Sequence, residues 1–393
     1  MRKHKSDRLI IIFTMTLLAI GLIVIYAIGP MRANFSNASY GTTFDENYFF
    51  FHQLSSVIVS AVAFFLAFRF PYEKMKKISW IVLVLGFLAC AVLQIAAWAE
   101  LDSIASCQLG ACRWLKIGSL GTLQPAEILK LGLILYLAQL IAKRKEEGLI
   151  EKSDFWIPFS VVSVLSILFV CVFQADLGST VVIVAILLAM LLVGGIRIGR
   201  IALIIGVLLV GGALAILTSP HRMERMLTFT DSDDSNSYHI DNALLAIGTG
   251  GVFGVGIGNA VQATGYLPES INDSIFAVMG ETFGFVGLCV ILLCFCILLY
   301  RILKVAEFAG TSEYALIAAG VFAWILTHVV VNIAAMTGLI PLTGITLPLL
   351  SYGGTSLAFT SFGLGLVLQL SCYSKREIKD EKIKKISQRG VKR

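Results

Sequence analysis

Residues 237–281 read SYHIDNALLAIGTGGVFGVGIGNAVQATGYLPESINDSIFAVMGE. This stretch lies in the longest interruption of a chain otherwise filled with apolar runs. Its approach is polar, with Asp231, Asp233, Asp234, Asn236 and Asp241, and six glycines then crowd between Gly248 and Gly258. Leu267-Pro268-Glu269 and a lone carboxylate, Asp273, follow before apolar sequence resumes. Asp273 therefore stands at the mouth of a membrane helix, where water meets hydrocarbon. A carboxylate partly desolvated there has its pKa raised toward that of a working general base. The plainer alternative is a flexible loop with solvated acids.

Outward from this stretch, composition sets the class. Apolar residues make up 57% of the 393, charged residues only 14%, and mean hydropathy is +0.86. Soluble globular chains carry about 25% charge, so this is a polytopic membrane protein with no hydrophilic block large enough for a separate soluble domain. Windows of about 20 apolar residues place ten spans, at 9–30, 49–69, 80–98, 123–142, 156–173, 178–195, 201–218, 275–300, 314–334 and 353–371. The expected fold class is all-α, with a large extracytoplasmic loop at about 219–274, between spans seven and eight. The chain divides into a basic N-terminus (1–8), a ten-span membrane domain (9–371) and a basic tail (372–393). The run from Leu9 to Pro30 is too long for a typical signal-peptide core and lacks a clear small-residue cleavage site, so it reads as a retained first span.

Orientation follows from Lys and Arg. With the N-terminus inside, 25 of the 31 fall on inside segments and 5 outside (Arg32, Arg113, Lys116, Arg222, Arg225), while Lys130 lies within a span. This positive-inside bias puts both termini in the cytoplasm and residues 237–281 outside. The net charge of +6 mostly reflects that bias and the basic tail, which suits anionic lipid and is no argument for nucleic acid. Five of the eight cysteines, Cys90, Cys171, Cys289, Cys294 and Cys296, lie in apolar runs and read as small hydrophobes. Cys107 and Cys112 share a loop and would be spaced to close a disulfide in an oxidising compartment. No C-x-x-C pair or Cys/His cluster suggests a metal centre.

Polar residues at membrane depth are the remaining candidates. Glu127 and Lys130 are three apart at the outer start of the fourth span, after Gln124-Pro125, so they share a helix face and can pair. Each charge costs roughly 2.5–3.5 kcal/mol at a helix centre, so the pair should face the bundle interior, as a functional element or as a stapling ion pair. Asp176 precedes Leu177-Gly178-Ser179 and is either a functional acid or the N-cap of the sixth helix. Glu281 lies about two turns after Asp273 and either shapes the same cavity or pairs with a neighbour. His328 and Asn332, four apart, read as interhelical hydrogen-bond formers. The glycine run lacks the strand-loop-helix context of a dinucleotide site and reads as close backbone packing. Residues 335–352, broken by Pro341, Gly344 and Pro348, cannot form a regular helix and must be covered by protein or line a wet cavity.

In order along the chain stand Arg113-Trp114, Gln124-Pro125-x-Glu127-x-x-Lys130, Gln174-x-Asp176-Leu177-Gly178 and Gly250-Gly251-x-x-Gly254-x-Gly256. Leu267-Pro268-Glu269-x-x-x-Asp273-x-Ile275-Phe276-Ala277, Gly280-Glu281, Gly338-Leu339-x-Pro341, Gly344 and Leu347-Pro348-x-x-Ser351-Tyr352-Gly353-Gly354 follow. Each is weak alone, but together on ten spans the pattern resembles the SEDS family (shape, elongation, division and sporulation) over nearly the whole chain. Two departures stand out. The family's usual His-Thr-Asp-Phe is here Ile271-Asn272-Asp273-Ser274, and a usual second Glu after Gly280-Glu281 is Thr282. Arg222-x-x-Arg225-Met226-Leu227-Thr228-Phe229 and Tyr48-Phe49-Phe50-x-His52-Gln53-Leu54, with the long loops near 31–48 and 99–112, look closer to the division branch.

The resemblance implies a peptidoglycan glycosyltransferase that polymerises lipid II, handles polyprenyl-linked glycan, and works with a class B penicillin-binding protein and other division or elongation membrane proteins. It implies that Asp273 is the essential acid and that Glu127, Lys130 and Asp176 match further functional polar residues of the family. Arg113, Trp114, Lys116, Gln124, Glu269, Glu281 and Ser351 are further candidates for the substrate cavity. Arg222 and Arg225 are further candidates to meet a leaving pyrophosphate. No cofactor is certain, and a divalent cation (Mg or Mn) is a candidate. A lipid flippase and a non-catalytic scaffold recruiting a transpeptidase are the competing readings.

Overall fold

Eleven α-helices and a small three-stranded sheet form the described part of the computed structural model, which covers residues 5–108, 111–118, 121–217, 235–262 and 266–373. In chain order these are α1 (Arg8–Tyr40), α2 (Tyr48–Arg69), α3 (Tyr72–Trp98), β1 (Ala105–Gln108), β2 (Ala111–Lys116), β3 (Thr122–Leu123) and α4 (Pro125–Glu146). Next come α5 (Ser153–Ile167) with a π-helical extension (Leu168–Phe173), α6 (Leu177–Gly194), α7 (Ile198–Leu217), α8 (Ser235–Thr249), α9 (Ile275–Glu307), α10 (Ser312–Met336) and α11 (Gly354–Ser371). Among the described residues nine helices are long and apolar enough to cross a membrane, and α7 adds a shorter apolar segment. These ten correspond in order to the ten expected spans.

Several boundaries differ from the sequence expectation for local reasons. Pro30 is accommodated inside α1, which runs on to Tyr40. The helix stops only where the Asn37 amide takes over the turn, accepting from Thr42 Oγ1 and Phe44 N at 2.9 and 2.8 Å and donating to Phe44 O. The loop expected at 31–48 is correspondingly short. Helix α3 begins at Tyr72 rather than 80, because Lys76 is paired with Glu313 of α10 at 2.9 Å and need not leave the helix. The loop at 99–122 holds the antiparallel sheet β1-β2-β3, which no hydropathy pattern announced. Cys107 and Cys112 face each other across β1–β2 and are disulfide-bonded. Ala105 and Leu115 of this sheet pack on Leu93 and Ala96 of α3.

Helix α4 lies at the centre of the bundle. It meets α3 backbone to backbone: a Cβ on Gly86 would come within 2.9 Å of Leu129 Cα, and one on Gly132 within 2.7 Å of Leu83 Cα. Small residues permit this approach where lipid supplies no hydrophobic drive between helices.

The glycine run does the same for α9. That helix is broken at Gly284, whose φ of 68° and ψ of −171° are not helical. The break frees carbonyls that hydrocarbon cannot solvate. Glu281 O and Thr282 O accept instead from Val255 N and Gly256 N at 2.9 and 3.1 Å, while Phe285 N and Val286 N donate to Gly251 O and Val252 O. Only glycine fits at 254, where φ is +84° and a Cβ would lie 2.2 Å from Thr282 O. Residues 337–353 are indeed non-helical and are held by protein donors. Asn332 Nδ2 donates to Ile345 O at 2.7 Å, and Ser351 Oγ accepts from Leu347 N at 2.8 Å.

Candidate functional site

The N-terminal ends of α4, α6, α9 and α11 meet around a cavity of about 450 Å³. Its wall includes Asp273 and Glu269 ahead of α9, Arg113 and Trp114 from β2, Gln124 and Glu127 at the start of α4, and Asp176 ahead of α6. Residues dispersed over 160 positions of sequence are thus brought to one end of the bundle. A helix start carries the positive end of the helix dipole, which favours anions.

Asp273 is partly buried, and its Oδ1 is enclosed without a hydrogen-bond partner. Its main chain is anchored through Asn332 Nδ2, which donates to Asp273 O at 2.7 Å. Burial, and then the negative charge of Glu269, push its carboxyl up to about 7, against the backbone amides of Asp273 and Ser274 and the charge of Arg113. A carboxylate so placed is ionised for a large part of the time near neutral pH and takes up a proton readily, as a general base must.

Beneath the cavity floor lies the expected ion pair. Lys130 Nζ donates to Glu127 Oε1 at 2.7 Å and lies 3.2 Å from His328 Nε2 and 5.1 Å from the Trp324 ring centroid. Lys130 is fully buried and lies behind Glu127, which itself reaches the wall. His328 continues the network through Nδ1, 3.2 Å from Thr346 O. His328 and Asn332 therefore do bond between elements, and they steady the broken segment that closes the cavity.

Among the described residues, Arg113 brings a cationic side chain to the cavity. Its Nη2 donates to Ala175 O at 3.0 Å, which ties β2 to the turn before α6. Asp176 is the N-cap of α6, accepting from Ser179 N at 3.0 Å, and it also accepts from Gln124 Nε2 at 3.1 Å. Both readings of Asp176 hold together: it caps the helix and faces the cavity.

Four expected site residues fall elsewhere. Lys116, at the end of β2, does not line the cavity; its Nζ is drawn instead to Asp102 O, to which it donates at 2.8 Å. Glu281 does not line the cavity; its Oε1 accepts from Val261 N and Gln262 N at 2.7 and 2.9 Å and holds the glycine-rich segment. Ser351 is structural in position, donating to Asn272 O at 2.6 Å. Lys130 is withdrawn behind its partner. Arg222 and Arg225 lie outside the described residues. Among the described residues no group of three or more His, Cys, Asp or Glu side chains is placed to hold a metal ion. Among the lining residues that the sequence did not single out for the site are His52, His239, Asn272 and Tyr352. His52 Nδ1 and Tyr352 OH are 2.7 Å apart, joining α2 to the start of α11. Their separation in sequence left no spacing signal.

A partly buried carboxylate and an arginine share one cavity at the common end of a many-span helical bundle, which is the architecture of a multi-pass membrane protein. The model of the cell cycle protein family FTSW_RODA_SPOVE matches residues 7–376, and the chain belongs to that family. It is 31% identical over 378 residues to stage V sporulation protein E of Bacillus subtilis strain 168, covering 95% of this chain and 99% of that protein. It is 32% identical over 373 residues to the probable peptidoglycan glycosyltransferase FtsW of Coxiella burnetii, covering 93% and 96%. Among solved structures, the fold is similar to a chain described under structural coordination of polymerization and crosslinking by a peptidoglycan synthase complex, with a TM-score of 0.73, 23% identity and coverage of 93% and 97%. It is also similar to the rod shape determining protein RodA of Thermus thermophilus, with a TM-score of 0.66, 23% identity and coverage of 93% and 96%.

Proposed function

We propose that this protein is a peptidoglycan glycosyltransferase that polymerises lipid II at the outer face of the cytoplasmic membrane, in the division branch of its family. The observation that carries the reading is Asp273, with one carboxylate oxygen enclosed and unpartnered at the wall of the cavity that also holds Arg113. Relatives named FtsW support the branch, and the Lys and Arg distribution supports an outer site with both termini in the cytoplasm.

In the reaction, the 4-hydroxyl of one lipid-linked sugar unit attacks the anomeric carbon of the growing chain. The bond from that carbon to the diphosphate oxygen breaks, and the electron pair leaves with the polyprenyl diphosphate. The hydroxyl proton passes to the Asp273 carboxylate. One in-line displacement converts the α linkage to β. Arg113 and the converging helix N-termini receive the negative charge that develops on the leaving group. Glu269, exposed on the rim, keeps the base's affinity for the proton high. The polyprenyl tails lie in apolar grooves between helices, and a class B penicillin-binding protein crosslinks the strands made here. A divalent cation arriving with the diphosphate would find the carboxylates of Glu269 and Asp273 together at the cavity wall.

The test is polymerisation of lipid II by the purified protein. Asp273→Ala should abolish glycan ladders while leaving folding intact. Normal ladders from that variant would remove Asp273 from the mechanism. Translocation of lipid II without polymer by the native protein would favour a flippase instead.

A further inference from the structure

The motif around Asp273 departs from the family's at Ile271, Asn272 and Ser274. The structure brings a histidine to the last of these positions from another element. His239, on α8, lines the cavity, and its Nε2 lies 2.7 Å from Ser274 Oγ. The same hydroxyl donates to Pro268 O at 2.8 Å.

These two contacts fix the chemistry of the imidazole. A serine hydroxyl carries one hydrogen, and a carbonyl oxygen only accepts. The hydrogen is therefore spent on Pro268 O, and Ser274 Oγ must accept from His239. Nε2 thus carries a proton, and in the neutral ring Nδ1 is the bare nitrogen. Burial pushes this imidazole below its ordinary range, with Glu269 pulling the other way. The bond survives either outcome, since Nε2–H is a donor in both the neutral and the charged ring.

The bond also comes at a local cost. Ser274 is the N-cap of α9, where a serine normally accepts from an amide of the first turn, yet its side chain makes no capping bond. It is used instead to close the turn Leu267–Ser274. That turn carries Glu269 at a φ of +48° and is braced by Asn272 N and Ser274 N donating to Glu269 O. Asp273 is the next residue back from Ser274. It is consequently held from two sides, by Asn332 of α10 at its own carbonyl and by α8 through the following hydroxyl.

We propose that His239 is a positioning residue for the reaction. Acting as a fixed N–H donor through Ser274, it holds the turn that aims the Asp273 carboxylate, and it takes up no proton from substrate. This rests on the glycosyltransferase reading above and adds to it the group that sets the base's position. It also accounts for a working motif without the family's histidine at 271.

The experiment uses the full chain, lipid II and four variants, with thermal unfolding as the control for folding and Asp273→Asn as the control for the reading itself. His239→Ala and Ser274→Ala should each lower kcat on the order of 10- to 100-fold, as for a displaced catalytic group, with KM for lipid II little changed. The double variant should be no worse than either single one, because both cut the same link. His239→Gln places an amide N–H at nearly the reach of Nε2 and should restore most of the rate. A His239→Gln variant as impaired as His239→Ala would overturn the proposal in favour of a proton-accepting ring, and a fully active His239→Ala would overturn any role. If Asp273→Asn polymerises normally, it is the glycosyltransferase reading that fails, whatever the His239 variants do.

Discussion

Lowering the pH of a lipid II polymerisation assay from about 8 to about 6 should slow the enzyme about tenfold. The base must be ionised to accept the hydroxyl proton, and the Asp273 carboxyl is pushed up to about 7. One unit above that value about nine-tenths of the molecules carry the carboxylate, and one unit below it about one-tenth do. An aspartate at its ordinary 3.8 would leave the rate flat across this range. The causes of the shift supply the internal controls. Glu269→Gln removes a negative charge that raises the value, so the acid limb should move to lower pH. Arg113→Gln removes a cation that lowers it, so the limb should move to higher pH in whatever activity remains. His52, His239 and His328 line the same cavity, so the owner of the limb is read from these opposite displacements. A flat profile, or a limb that His239→Gln moves and Glu269→Gln does not, would refute the assignment.

The raised carboxyl also has a consequence for stability. The folded state binds the Asp273 proton more tightly than the unfolded chain, so this group lowers stability as pH rises from about 4 to about 7 and lowers it fully above that. Asp273→Asn should therefore unfold at a higher temperature than the native protein at about pH 8, show little difference at about pH 4, and be inactive. Lys130→Met leaves the Glu127 carboxylate buried without its partner and should destabilise the protein by about 3–5 kcal/mol in detergent unfolding; adding Glu127→Gln should recover much of that loss. Reducing the Cys107–Cys112 bond releases a short loop worth about 2 kcal/mol. It should loosen the hairpin that carries Arg113 and Trp114, lowering the polymerisation rate, with recovery on reoxidation.

What was legible in the sequence is what the bilayer enforces. Spans follow from apolar length, and the non-helical character of 337–353 follows from prolines and glycines that no membrane helix would tolerate unsupported. The Glu127–Lys130 pair was readable because a three-residue spacing fixes both side chains to one face. Asp273 was readable from its place between a polar loop and an apolar run. The rest depended on contacts between distant elements. Glu281 looked like a cavity residue, but the break at Gly284, three positions on, turns its neighbourhood toward the glycine segment. Lys116 sits three residues after Arg113 on a strand rather than a helix, so nearness in sequence did not carry it inward. His239 lies 34 positions before Asp273, and only the return of the chain through α8 brings them to one turn.

In the proposed reaction, the arrangement of helices adds to the positive charge that Arg113 offers the leaving diphosphate. Four helices begin at the cavity. Asp176 already caps α6 and Glu127 stands in the first turn of α4, whereas α9 and α11 have no acidic first turn and no side-chain cap, so each of these two presents roughly half a positive charge. These charges are carried by backbone and need no desolvated lysine or arginine, which would be expensive so near hydrocarbon. Among the described residues, the Lys130 ammonium beneath the cavity floor is already engaged with Glu127 and His328. The cavity is thus set to attract an anion through fixed dipoles and Arg113 while keeping one carboxylate unpaired. Those two demands conflict, since every added cation would lower the proton affinity of Asp273. Backbone dipoles aimed at the leaving group, with Glu269 beside the base, satisfy both at once.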